Sequence, residues 1–138
     1  MKVIVSACLL GENCKYNGGN NYSARVAAFL ADKDVISVCP ERFAGLGVPR
    51  VPIEIRDGEI VDKNGRSVDE TLRRAISEMI GAFDPDEIEC AILKSRSPTC
   101  GVKEIYDGSF SGRLVAGMGA FASSLAALGV RVIDSEDI

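Results

Sequence analysis

A chain of 138 residues, 46% hydrophobic and 26% charged, can bury one core but is too short for two large domains. Its 16 basic and 20 acidic residues give a net charge of −4, which argues against nucleic acid as the main partner, because phosphate binding needs a basic surface. No segment has the length of a membrane span or the pattern of a secretory signal. We therefore expect a single cytoplasmic domain over residues 1–138 with no membrane partner, and find no signal for an oligomeric state.

The chain has five cysteines and no histidine. The absence of histidine excludes Ser–His and Cys–His hydrolytic dyads as well as zinc sites of mixed cysteine and histidine ligands. An odd number of cysteines in a cytoplasmic chain does not indicate a disulfide framework. Any catalysis must therefore use cysteine, carboxylate, lysine, hydroxyl groups or a bound cofactor.

The first half of the chain contains two strand signals and one helix signal. A β-branched run ending in small residues leads into Cys8, and the Asn- and Gly-rich residues that follow predict a loop. The second strand must end at Cys39, because Pro40 cannot donate a hydrogen bond to a sheet. In chain order we predict a strand at 3–7, a loop at 13–21, a helix at 23–31, a strand at 35–38 and an irregular stretch at 44–52.

The second half opens with a hairpin signal and then continues the alternation. Asp57-Gly58 between two alternating segments is typical of a tight hairpin turn. The stretch from Ser67 to Glu70 has the pattern of a capping box, and it precedes an apolar stripe at helical spacing. In chain order we predict a hairpin at 53–60, a helix from 67 to about 83, a strand at 89–93, turns around 106–112, a helix at 118–128 ending at Gly129, and a strand at 130–133.

Strands that alternate with helices predict an α/β fold in which a mainly parallel sheet is covered on both faces. We expect a three-layer, Rossmann-like single domain with one small β-hairpin.

Three cysteines follow the predicted strands. Cys8 and Cys39 come directly after the first and second strands, and Cys100 lies in the loop after the third. Ligands of open parallel sheets bind at the carboxyl ends of the strands, so these thiols are expected to converge. Cys90, inside a strand, has the position of an ordinary buried apolar side chain.

Thiolates brought together repel one another unless a metal compensates their charge. Three of them suit a zinc ion or an iron–sulfur cluster. A structural zinc site usually has four ligands that include close cysteine pairs, and no C-x₂-C pair occurs here. Three scattered ligands leave one metal position open, which suits catalysis; Cys14 as a fourth ligand would close the site.

Five segments share a pattern with a known family: SACLLG (6–11), KYNGG (15–19), CPE (39–41), KSRSPTCG (94–101) and IYDGSFSG (105–112). Together they resemble the family called domain of unknown function 523, which includes bacterial thiouracil desulfurases. The resemblance spans nearly the whole chain in the right order. The sequence departs from the pattern in the glycines around Leu46, at Val51 where proline is common, and at Thr99 where serine is common.

The resemblance implies a [4Fe–4S] cluster held by Cys8, Cys39 and Cys100, with one iron free to take the sulfur of a thiolated pyrimidine or a related small thio-compound. It places the family's catalytic acidic residue and serine at Glu41 and Ser97. Without the resemblance, Glu41 would be assigned as a solvated loop charge or an acidic residue at a helix start. Ser97 would remain open between a turn-stabilising hydroxyl before Pro98 and a hydrogen-bonding group for the substrate or a cluster sulfide.

Two other functions remain open on the sequence. One is a binding module that handles metal or sulfur for a partner without catalysis, for which Cys14 would be a fourth ligand. The other is a phosphate or nucleotide binder that uses the glycine-rich loops, although neither loop has a Walker A pattern. Lys94, Arg96 and Arg50 are either donors to an anionic ligand or ordinary surface charges.

Overall fold

Strands and helices alternate along the chain in the computed structural model, which describes all residues from 1 to 138. The strands are β1 (Lys2–Ser6), β2 (Asp34–Val38), β3 (Ile53–Arg56), β4 (Glu59–Asp62), β5 (Ile88–Leu93), β6 (Glu104–Tyr106), β7 (Leu114–Ala116) and β8 (Val132–Asp134). The α-helices are α1 (Ala24–Phe29), α2 (Pro40–Phe43), α3 (Asp69–Gly81) and α4 (Ala120–Ala127).

Four parallel strands form the central sheet in the order β2-β1-β5-β8. The chain moves from β1 outward to β2 and then returns past β1 to β5. The direction of winding therefore reverses between β1 and β5, and such a switch point leaves a crevice at the carboxyl ends of the strands. The mainly parallel α/β sheet expected from the sequence is confirmed.

The core lies on both faces of this sheet. On one face, 16 buried residues form a cluster that includes Ile4, Leu72 and Phe121 and packs α3 and α4 against the strands. On the other face, seven buried residues around Val3 and Val26 pack α1. Cys90 belongs to this second cluster, so its predicted role as an apolar core residue is confirmed.

Two antiparallel hairpins flank the sheet. The predicted hairpin is formed by β3 and β4, with Asp57 and Gly58 both at positive φ in its turn. The segment predicted as turns contains a second hairpin, β6–β7, which the sequence analysis missed. Three-residue strands carry too little alternation to be recognised.

The predicted capping box at Ser67 is wrong. The N-cap residue of α3 is Val68, and no side chain caps the helix there. Ser67 is held instead in a β-bridge with Val61, and the Val68 amide donates to the Ile60 carbonyl at 2.9 Å. Extension of the hairpin sheet therefore prevents the geometry that a capping box needs.

None of the helices combines the length and the apolar character that crossing a membrane requires. That residues 1–138 form a single domain stays a prediction.

The segment that carries Cys100 is fixed against the start of α4. The Phe121 amide donates to the Thr99 carbonyl at 2.8 Å, and the Ala120 amide donates to the Pro98 carbonyl at 2.9 Å. A Cβ at Gly119 would lie 2.5 Å from the Thr99 carbonyl oxygen and 2.8 Å from the Cys100 nitrogen. Position 119 therefore requires glycine, because any side chain would push the two segments apart.

We predict that Gly119→Ala lowers the free energy of unfolding by about 1–3 kcal/mol through overpacking. The matched control is Gly81→Ala at the end of α3, where a Cβ meets nothing within 4 Å. That change should raise stability by up to about 1 kcal/mol, because alanine favours a helix. Urea denaturation of both variants measures the difference, and equal unfolding midpoints would contradict the prediction.

Candidate functional site

A cavity of about 560 Å³ opens at the carboxyl ends of β1, β2 and β5. The residues predicted from the sequence as ligands and catalytic groups all line it: Cys8, Cys39, Cys100, Glu41 and Ser97. Cys14 lines it as well. No group of three or more His, Cys, Asp or Glu side chains is arranged to hold a metal ion.

Each of the three predicted ligands is positioned by the end of a strand. Cys8 lies in the single 3₁₀ turn Ala7–Leu10 that directly follows β1. Cys39 is the N-cap residue of α2, where Pro40 begins the helix, and the Cys39 side chain makes no capping bond. Cys100 follows β5 by seven residues and is 5% exposed. All three side chains thus reach one edge of the sheet.

Burial controls the protonation of the thiols. It raises the pKa of Cys100 to about 12, against the opposing effect of hydrogen bonds with the Ser6 and Thr99 side chains. Burial, followed by the charge of Cys39, raises the pKa of Cys14 to about 12. Burial also raises the pKa of Cys8, while a hydrogen bond with Asn21 lowers it. Cys14 and Cys100 are therefore neutral thiols at neutral pH in the metal-free protein.

The Glu41 carboxylate is held in a buried ion pair. Its Oε1 accepts a hydrogen bond from Arg50 Nε at 3.0 Å, and the two side chains are only 13% and 7% exposed. The same guanidinium donates to the Cys14 carbonyl at 2.9 Å and to the Gly47 carbonyl at 3.0 Å. Arg50 thus ties together the carboxylate, the loop of Cys14 and the irregular segment at 44–52.

The hydroxyl groups of Ser97 and Thr99 join the carboxylate to the Cys100 loop. Ser97 Oγ accepts hydrogen bonds from the amides of Thr99 at 3.1 Å and Cys100 at 3.0 Å. It lies 3.0 Å from Thr99 Oγ1, which in turn lies 3.1 Å from Glu41 Oε2. This network locks the loop and presents the carboxylate to the cavity.

Two of the three predicted basic donors are already occupied by protein groups. Arg50 binds Glu41, and Arg96 makes a two-point contact with Glu136 at 2.9 and 3.1 Å. The Lys94 ammonium donates to the carbonyl and hydroxyl of Ser95 and has no carboxylate partner. Burial and, after it, the charge of Arg96 lower the pKa of Lys94.

The β6–β7 hairpin supplies an aromatic wall. Tyr106 and Phe110 line the cavity, and Phe110 has a positive φ of 57°. The loop is fixed because Glu54 Oε1 accepts the amides of Gly108 and Phe110 at 3.0 and 3.1 Å. Arg56 lies over the Phe110 ring at 5.8 Å from its centroid.

The model of one protein family, 2-thiouracil desulfurase, matches residues 3–137 of the chain. The chain belongs to this family.

Two similar proteins match nearly the whole chain. The structure of the [4Fe-4S]-dependent thiouracil desulfidase TudS (DUF523Vcz) matches with a TM-score of 0.90 and 34% identity, over 99% of this chain and 92% of that one. The uncharacterised protein YbbK of Bacillus subtilis (strain 168) is 32% identical over 146 residues, covering 99% of this chain and 97% of its own. The family resemblance inferred from the motifs is confirmed.

Sequence reasoning missed three features of this family member's site. It did not pair Arg50 with Glu41, because the segment between them is irregular and sequence spacing does not predict contacts across an irregular segment. It treated Thr99 only as a departure from the family pattern. It predicted turns for the segment of Phe110, although the two aromatic residues Tyr106 and Phe110 could have indicated a surface that lines a cavity.

We predict that Arg50→Met lowers the free energy of unfolding by about 3 kcal/mol, because it leaves the buried Glu41 carboxylate unpaired. Arg74→Met is the control, since it breaks an exposed pair with Glu70 in α3. Loss of such a pair costs less than about 1 kcal/mol. Chemical denaturation of both variants makes the comparison, and a cost for Arg50→Met no larger than for the control would refute a buried, structurally important pair.

Proposed function

We propose that this protein removes sulfur from a thiolated pyrimidine or a related small thio-compound, without net electron transfer, using a [4Fe–4S] cluster held by Cys8, Cys39 and Cys100. One observation carries the proposal: thiols from three strand ends line a single cavity beside a buried carboxylate. Membership of the 2-thiouracil desulfurase family and the likeness to the [4Fe-4S]-dependent TudS support it.

The donor set fits such a cluster. All three proposed ligands are cysteines, which are the usual ligands of iron–sulfur clusters. They come from three separate segments that line one cavity, which suits a group in which each thiol binds a different iron. Polar side chains lie beside two of these ligands, as is common around metal ligands: Ser6 and Thr99 beside the Cys100 thiol, with Thr99 Oγ1 3.8 Å from Cys100 Sγ, and Asn21 beside the Cys8 thiol.

The reaction exchanges a thiocarbonyl sulfur for the oxygen of water, and sulfide is the second product. When bound, the cluster supplies an iron without a cysteine ligand, which acts as a Lewis acid toward the substrate sulfur. We propose that the Glu41 carboxylate accepts a proton from the attacking water and returns it to the ring or to the leaving sulfide. Ser97, the second residue of the proposed catalytic set, fixes the Cys100 loop beside it.

The cavity wall suits a planar ring. Tyr106 and Phe110 provide faces on which a heterocycle can stack. The Lys94 ammonium, which has no carboxylate partner, is available to donate to a ring oxygen or to the departing sulfide. These residues explain recognition of a small heterocycle in a chain whose net charge is negative.

A metal- or cluster-binding module without catalysis is the second candidate, and the position of Cys14 favours it. Cys14 lies at the same cavity, 2% exposed, next to Cys39. A fourth cysteine ligand would leave no iron open to substrate. Under this alternative, Cys14→Ala creates an open iron that the unaltered protein lacks.

We predict that Cys8→Ala, Cys39→Ala and Cys100→Ala each abolish cluster binding, because each removes one of only three ligands. Cys90→Ala is the control for loss of a buried thiol, and Cys14→Ala tests the fourth ligand; both should keep a full cluster. Iron and acid-labile sulfide are measured after anaerobic reconstitution, with about four of each per chain expected for the unaltered protein. A full cluster in all three ligand variants would eliminate the proposed site.

We predict that Glu41→Gln lowers kcat for 2-thiouracil roughly 100-fold or more with unchanged iron content, because the amide cannot take up the proton. The Gln side chain keeps the shape of Glu41 and an oxygen for Arg50. Steady-state turnover under anaerobic conditions, normalised to iron content, provides the measurement. Turnover close to that of the unaltered protein would show that Glu41 is not the base.

A further inference from the structure

Thr99 is one of the most deeply buried polar residues beside the cavity, and the reaction described above gives it no role. Only 2% of the Thr99 surface is exposed to solvent. Its Oγ1 has three polar neighbours: Glu41 Oε2 at 3.1 Å, Ser97 Oγ at 3.0 Å and Cys100 Sγ at 3.8 Å. A threonine hydroxyl has one proton, so it can donate to only one of them at a time.

The surrounding bonds decide which way that proton points. Ser97 Oγ already accepts two backbone amides, from Thr99 and from Cys100, and these occupy both of its lone pairs. The Ser97 proton is therefore left to donate to Thr99 Oγ1. The Thr99 proton then goes to Glu41 Oε2, which is nearer than the Cys100 sulfur and is a stronger acceptor because it carries charge.

This direction leaves the carboxylate with one donor on each oxygen. Arg50 Nε holds Oε1 at 3.0 Å, and the Thr99 hydroxyl holds Oε2 at 3.1 Å. A carboxylate held at both oxygens cannot rotate about its terminal bond, so its plane toward the cavity is fixed. The backbone of Thr99 is in turn bound to α4, since its carbonyl accepts the amides of Phe121 and Ala122.

We propose that Thr99 is a positioning residue: its hydroxyl orients the Glu41 carboxylate for proton transfer, as the last donor of a chain that runs from Ser97 through Thr99 to Glu41. The inference rests on the proposed function for its effect on turnover. It concerns the hydroxyl group alone, so serine at this position fulfils the role and valine, of nearly the same shape, does not.

The test compares Thr99→Val and Thr99→Ser in the cluster-reconstituted protein, with Thr71→Val as control. Thr71 is exposed on α3 and lies outside the cavity. Thr99→Val should keep the iron content and KM for 2-thiouracil but lose roughly 10- to 100-fold in kcat, as is typical when a supporting hydrogen bond is removed. Thr99→Ser should restore turnover, and Thr71→Val should leave it unchanged.

A double-mutant cycle separates action through Glu41 from a general structural effect. If Thr99 acts through the carboxylate, Thr99→Val has no further effect on kcat in a Glu41→Gln background. An equal loss in both backgrounds would overturn the proposal, and so would normal turnover by Thr99→Val. Loss of the cluster in both Thr99→Val and Thr99→Ala, with retention in Thr99→Ser, would also overturn it, since the hydroxyl would then act through Cys100.

A readout that needs no turnover keeps this inference apart from the proposed function. The infrared carboxylate band of Glu41 is identified by its loss in Glu41→Gln. Thr99→Val should shift that band, and Thr99→Ser should not. If the unaltered protein fails to convert 2-thiouracil but the band shifts, the proposed function is wrong and the positioning contact stands. An unshifted band would overturn the positioning role whatever the activity.

Discussion

The site depends on the parallel pairing of β1 with β2 on one side and β5 on the other. Because all three strands run in the same direction, their carboxyl ends lie at one edge, and the residues that follow them meet there. This arrangement places Cys8, Cys39 and Cys100 at the same edge. An antiparallel β2 or β5 would send one thiol to the opposite edge. The hydrophobic cores on the two faces stabilise the sheet, and the sheet in turn positions the thiols at its edge.

A cavity that gathers buried thiols and a buried carboxylate carries a cost in desolvation, and the surrounding polar groups offset it. Arg50 pairs with Glu41 and also binds two backbone carbonyls, so the guanidinium is satisfied as well. Ser97 satisfies two amides of the Cys100 loop. No buried side-chain nitrogen or oxygen lacks a hydrogen-bond partner. The same bonds that stabilise the site also fix its geometry, so stability and preorganisation come from one network.

The sequence was sufficient to predict the sheet and the convergence of the thiols, because both follow from local patterns: β-branched runs, and cysteines in the segments that follow them. The side chains that support the site were harder to predict. Glu41 and Arg50 are joined by an irregular loop, so nothing in their spacing indicates that they form an ion pair. Thr99 is separated from Glu41 by 58 residues along the chain, and only the fold brings their oxygens within 3.1 Å.

Local patterns also failed where tertiary pairing competed with them. The pattern at Ser67 predicted a helix cap, but the backbone of Ser67 forms a β-bridge with Val61 instead. The β6–β7 hairpin has strands of three residues, too short for an alternating pattern, and is held by a contact from Glu54 in another hairpin. In both cases the decisive partner belongs to another secondary-structure element, which a scan for periodicity does not detect.

The most direct test of the account is a Mössbauer spectrum of protein reconstituted with ⁵⁷Fe, recorded with and without 2-thiouracil. Three cysteine ligands on a four-iron cluster predict two kinds of iron in a ratio of about three to one, with the minor component alone changing when the substrate is added. Four equivalent irons that do not respond to the substrate would mean a closed site with a fourth protein ligand. That result would contradict the open iron on which the proposed desulfurase reaction depends.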